Sequence, residues 1–180
     1  MKRPGVSVVI TSFNRPQMLK RAISSVLSQS HSDFEVIVVD DHSDADMSAV
    51  VSEFGDSRIR LIRNSENRGL PASRNVGMNA AQFEYVAFLD DDDLWESTKI
   101  QKQLDVFDEA EQDVGMVYCW MVFVNESGKK VSTISPELKG NVFDQVLGAQ
   151  RLGGCPTLIV TAEAARHVHG FDESLKRGND

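Results

Sequence analysis

The chain has 180 residues, 41% of them hydrophobic and 26% charged, with a formal net charge of -8. That length and composition define one folded domain that buries its own core, and exclude a disordered chain or a small scaffold dependent on disulfides or structural metals. The acidic balance excludes a general basic field for nucleic acid or an anionic membrane, and no apolar run reaches membrane-spanning length.

Two cysteines, Cys119 and Cys155, have neither metal-binding spacing nor a dense framework, so they read as core thiols in a reducing compartment. The first five residues carry Lys2 and Arg3 but run into a strand too short for a secretory leader. The expectation is a cytoplasmic protein, with a peripheral membrane contact left open.

Residues 6–11 (VSVVIT) form a β-branched strand, stopped by Ser12-Phe13-Asn14-Arg15 and a proline suited to the first turn of a helix. Leu19, Ala22, Ile23, Val26 and Leu27 then recur at helical spacing and make one apolar face. Residues 34–39 (FEVIVV) are the next strand, ending in Asp40-Asp41, and a helix over 47–54 leads to a third strand at 59–62. A polar loop over 64–69, a helix over 71–81 and a strand at 84–89 lead into Asp90-Asp91-Asp92-Asp93, and a helix over 97–111 follows.

Past residue 113 the pattern changes. Residues 114–124 read as one long apolar strand with an antiparallel partner at 131–134, followed by a helix over 142–147, a strand at 157–160 and a helix over 162–169. The whole predicts an α/β, doubly wound, mostly parallel central sheet with a small antiparallel part in the C-terminal half. Such sheets bind ligands beyond the carboxyl ends of their strands.

Three polar clusters fall at those ends: Thr11-Ser12-Phe13-Asn14-Arg15, Asp40-Asp41 and Asp90 to Asp93. Four consecutive aspartates repel one another unless a cation or a rim of donors compensates, and their hard oxygens suit Mg²⁺ or Mn²⁺ bridged to a diphosphate; the plain alternative is a solvated acidic turn. Asp40-Asp41 can accept the imide N–H of uracil or thymine, a donor cytosine lacks, while one of the two acids can equally close an Asx turn. Asn67, Arg68, Gly69 and Arg74 offer guanidinium groups and a close backbone approach to phosphate. His167 and His169, two apart on a helix, do not share a face and read as surface residues.

The segments VSVVITSFNRP, FEVIVVDDHS, NRGLPASRNVGMNAA, YVAFLDDDD and GFDESLKRGND, in this order, resemble glycosyltransferase family 2, of the GT-A fold. The resemblance covers nearly the whole chain. It implies an inverting transfer of sugar from a nucleoside-diphosphate sugar, with UDP favoured, to a saccharide or lipid-linked acceptor, and no nucleic-acid partner. It places Thr11, Ser12, Asn14 and Arg15 in the donor pocket, Asp41 at the base, Arg74 near the diphosphate, Asp90 in the DxD element, Asp91 near the ribose and Asp92 on the Mn²⁺ or Mg²⁺ ion.

Asp180 matches the general base, and because family members continue past that acid the resemblance implies a C-terminally shortened domain. Residues 1–112 would be its nucleotide-binding half and 113–180 the start of its acceptor side. Two other readings stay open: a nucleotide-sugar-binding module without turnover, and another metal-dependent nucleotide enzyme. A nucleotidyltransferase needs a glycine-rich first loop, which Ser12-Phe13-Asn14-Arg15 is not.

Overall fold

The structure, a computed structural model, describes residues 5–110, 113–142, 144, 146 and 152–175. Its elements, in chain order, are β1 (Val6–Ser12), α1 (Pro16–Leu27), β2 (Phe34–Asp40), α2 (Met47–Ser52), β3 (Ile59–Arg63), α3 (Leu70–Ala80), β4 (Tyr85–Asp90), α4 (Lys99–Glu109), β5 (Met116–Tyr118), β6 (Met121–Val124), β7 (Lys130–Ile134), a 3-10 turn (Cys155–Thr157), β8 (Leu158–Thr161) and, labelled here α5, the helix Ala162–His167. The β-strands gather into a six-stranded sheet ordered β3-β2-β1-β4-β8-β5 and a separate ribbon of β6 and β7.

The first four strands are parallel neighbours, and β8 joins antiparallel between β4 and β5. The strands β1 and β2 are buried at every position. Residues of alternate parity therefore face two different cores. Val8, Ile10, Val36 and Val38 pack with α1, α2 and α4 on one side, while Val9, Ile37, Val39 and Phe88 pack with α3 and α5 on the other. Continuous apolar strands are what a sheet covered on both faces requires.

The chain winds outward from β1 to β3 and then returns through α3 to β4, on the other flank of β1. That reversal opens a crevice between the carboxyl ends of neighbouring strands, where Thr11 pairs in register with Asp90 and Ser12 with Asp40.

The long strand expected over 114–124 is two strands in two sheets. β5 pairs with β8, its pairing continued by the bond from the Cys119 amide to the Thr157 carbonyl (3.1 Å), after which the chain leaves to pair with β7. An unbroken apolar run specifies burial or pairing but not a partner, so the sheet switch leaves no mark in composition. Cys119 is half-buried rather than a core thiol, unlike Cys155. Of the helix expected over 142–147, residues 142, 144 and 146 are described, and the Val146 amide donates to the Val142 carbonyl (3.0 Å) as a helical turn requires; 143, 145 and 147 lie outside the described residues. His167 and His169 are exposed, as expected.

One glycine sets how closely α3 can lie on the sheet. A Cβ on Gly77 would run into Cγ1 of Val9 and stand 3.2 Å from Cγ2 of Val39, both in the strands that carry the first two polar clusters. Gly77→Ala should therefore overpack that interface and cost about 1–3 kcal/mol in urea unfolding. An unchanged midpoint would show that α3 can move away without loss.

Candidate active site

The carboxyl ends of β1, β2 and β4 and the start of α3 enclose a cleft of about 310 Å³, lined by Thr11, Ser12, Arg15, Asp41, Ser73 and the acids Asp90 to Asp92. Phe13 and Leu70 add apolar surface to its lining and stay 45% and 37% exposed.

The two acids at the end of β2 divide their tasks. Asp40 is fully buried; its Oδ1 accepts from the Ser43 amide (2.9 Å), three residues on, and so closes the bend after β2, and its Oδ2 accepts from Arg63 (2.6 Å). Asp41 lines the cleft. Its Oδ1 accepts from the Asn64 side chain (2.7 Å) and the Arg68 amide (2.9 Å), and its Oδ2 from the Gly69 amide (2.8 Å). Gly69 turns its N–H inward at a φ of 84°, a conformation costly to side-chain-bearing residues. Burial pushes the Asp41 carboxyl up, but bonds from Arg68, Asn64, Gly69 and Ser73 outweigh it and hold the group below its ordinary range.

In the acidic run each carboxylate has a different neighbourhood. Asp90 accepts from Arg74 (2.9 Å), a side chain only 1% exposed. Asp91 is 6% exposed and accepts from the Ser12 hydroxyl (2.7 Å), while the guanidinium of Arg15 bridges Asp91 (3.2 Å) and Asp92 (3.1 Å). Burial raises the Asp91 carboxyl above its ordinary value, and the charge of Asp92 adds to the rise against the pull of Ser12 and Arg15. Asp92 is half exposed, and the Asp93 amide closes the turn onto the Asp90 carbonyl (3.1 Å). The run is a strand end plus a turn that aims successive acids in different directions.

Several expected contacts with ligand are occupied within the chain. The Asn14 side chain accepts from the Asp44 amide (2.8 Å), and the Asn14 backbone N–H donates to the Ser43 hydroxyl (2.8 Å), so the residue ties the first loop to the second. The guanidinium of Arg68 pairs with Glu173 (3.2 Å) and Asn67 donates to the Asp41 carbonyl (3.2 Å). Arg74, buried beneath the strand end, offers no exposed guanidinium to a diphosphate. Residue spacing could not show this, because a helix start tells nothing of which side is covered. Asp180 lies outside the described residues. Phe13, Ser73 and Leu70 were not among the expected site residues; the one signal for Phe13 was an aromatic set inside a polar loop.

With this geometry in view, the family described as glycosyl transferase family 2 matches residues 7–161. The chain belongs to that family. It is 31% identical to an uncharacterized glycosyltransferase, MJ1057, of Methanocaldococcus jannaschii over 100% of this chain and 63% of that protein. It is 30% identical to WfgD of Escherichia coli, named UDP-Glc:alpha-D-GlcNAc-diphosphoundecaprenol beta-1,3-glucosyltransferase, over 73% of this chain and 51% of that protein. The mannosyltransferase PcManGT of Pyrobaculum calidifontis, in complex with GDP-Man and Mn²⁺, superposes with a TM-score of 0.73 at 19% identity, over 99% of this chain and 50% of that one. The fold is GT-A, and the chain spans between half and two thirds of the length of these proteins.

The Asp41 nest carries a pH signature. A carboxyl held below its ordinary value contributes stability that is complete above about pH 4 and is lost as the pH falls through the lower folded value. Asp41→Asn should cost roughly 1–3 kcal/mol at neutral pH, because amide donors lose a charged acceptor. In thermal melts from about pH 6 down to about pH 2, the gap between parent and variant should narrow. A gap that does not change with pH would remove the charge of Asp41 from the stability of the loop.

Proposed function

We propose that this chain is the nucleotide-sugar-binding part of an inverting glycosyltransferase that uses a divalent metal and favours a UDP-sugar donor. The observation that carries the reading is the Arg15 guanidinium lying between Asp91 and Asp92, in the crevice where a doubly wound sheet receives its ligand. A cation already bridges those two carboxylates, so the residues present fit a metal there. Two carboxylates are as many protein ligands as Mg²⁺ commonly takes, with substrate phosphates and water completing its shell.

The chain's own residues supply the rest. Phe13 offers its exposed face to the base, and Asp41 accepts the imide N–H in place of the Ser73 hydroxyl. Thr11 and Asp91 hold the ribose side of the donor. Asp92 would hold the Mg²⁺ or Mn²⁺ ion, whose positive charge would oppose the negative charge growing on the departing diphosphate. Arg15, released from the pair of acids, turns to the same phosphates. Arg74 neutralises Asp90 and keeps the strand end in place. Asp180 takes the proton of the attacking acceptor hydroxyl, on the face of the sugar opposite the leaving group. The acceptor proposed is a saccharide or lipid-linked saccharide in polysaccharide assembly, the class to which the diphosphoundecaprenol sugar in the WfgD name belongs.

The Arg15 bridge also favours a second reading, in which the guanidinium is the permanent counter-charge of the leaving group and no metal is needed. Two measurements separate them. UDP should raise the melting temperature with Mn²⁺ but not in EDTA, and more than GDP does, since a ligand of the folded state stabilises it by mass action. Asp92→Ala should abolish the effect, and equal stabilisation in EDTA would rule out a metal bridge. In the metal reading, Arg15→Ala frees the acids, so Mn²⁺ affinity rises by up to about tenfold, in line with removal of one nearby positive charge. Loss of nucleotide binding in that variant, with no response to metal, would favour the second reading.

A further inference from the structure

The chain after α5 is fastened to α3 by one side chain. Asn75, 9% exposed, accepts from the Phe171 amide through Oδ1 (2.8 Å), and its Nδ2 donates to the Phe171 carbonyl (2.9 Å) and to Glu173 (3.0 Å). A carboxamide that takes both backbone groups of one residue fixes its direction as well as its place, whereas a single hydrogen bond leaves a hinge. Gly170 admits the close approach: it has a φ of 77°, and a Cβ there would run into Oδ1 of Asn75 and stand 2.7 Å from the Met78 side chain.

The clamped segment touches the two arginines that hold the acidic strand ends. The Phe171 ring stands edge-on to Phe88 of β4 (5.1 Å between centroids) and 5.4 Å from the guanidinium of Arg74, which holds Asp90. Glu173 pairs with Arg68, whose backbone N–H holds Asp41. Yet residues 172–175 are exposed and add little to either core. A directional, fully paired amide is a means of placing a chain rather than of burying it.

We propose that Asn75 is a positioning residue for transfer to the acceptor: it locks the Gly170–Glu173 segment against the donor cleft, so that acceptor-side groups carried by the chain beyond Glu173 meet a bound donor in register. The inference rests on the glycosyl-transfer reading, and deepens it by separating donor binding from transfer. A misplacement of about 1 Å in a reacting group is enough to cost on the order of 10²-fold in rate.

The test uses the full-length protein with Asn75→Ala and the isosteric Asn75→Asp, which replaces the amide donor with a carboxylate oxygen that repels the Phe171 carbonyl and Glu173. UDP affinity in Mn²⁺ is read by calorimetry, and transfer is read as UDP release from UDP-glucose and UDP-N-acetylglucosamine, with a lipid and oligosaccharide extract of the source cells as acceptor. Both variants should keep UDP affinity within about threefold while kcat falls by about tenfold or more with donor KM unchanged. Parental kcat in the variants, or equal losses of UDP affinity and kcat, would overturn the proposal. A parent that binds no UDP would instead overturn the functional reading beneath it. Hydrogen exchange decides the clamp without any turnover: amides of 170–175 should exchange about tenfold faster in Asn75→Ala, with those of α3 unchanged, and equal protection in parent and variant would overturn it.

Discussion

Five carboxylates gathered at one rim are the constraint on which the rest of this molecule depends. Asp40, Asp41, Asp90, Asp91 and Asp92 stand at the ends of two strands that flank β1, and like charges at that density are tolerated only with compensation. The compensation differs at each. Asp40 has Arg63, Asp41 has a ring of amide and hydroxyl donors, Asp90 has a buried guanidinium, and Asp91 and Asp92 share Arg15. Only the last of these counter-charges is a half-exposed side chain shared between two acids. Asp91 and Asp92 alone among the five share a single counter-charge, and that guanidinium lines the cleft.

The sheet makes this gathering possible. Parallel strands covered by helices on both faces bring three carboxyl ends to one edge, and the reversal of winding at β1 opens a gap between them. The close seat of α3 over Gly77 then brings Ser73, Arg74 and Asn75 to the same edge. Three consecutive residues of that helix serve three purposes there: Ser73 faces the Asp41 nest, Arg74 passes under Asp90, and Asn75 reaches Phe171. Successive positions on a helix point about a third of a turn apart, so one helix start can hold three separate loops.

Most of the fold was legible from residue order alone. Strands β1 to β4 and helices α1 to α4 fall within a few residues of where periodicity predicts them, because apolar runs and amphipathic spacing report local geometry directly. The places of the clusters at Ser12, Asp41 and Asp90 were legible too, since each ends an apolar run that reads as a buried strand.

Partner choice was not legible. The run 114–124 could be known as apolar but not as two strands in two sheets, because pairing is decided by what lies beside it. Residue type likewise marked Asn14, Arg68 and Arg74 as groups that can bind a phosphate or a nucleoside, and only the tertiary structure showed them bound to Asp44, Glu173 and Asp90. The sequence by itself determined the winding of the sheet and the set of polar groups at its edge, through patterns that act over a few residues. Which of those groups are consumed inside the protein, and which face the cleft, was decided by contacts between residues as far apart as Asn75 and Phe171, which no local pattern encodes.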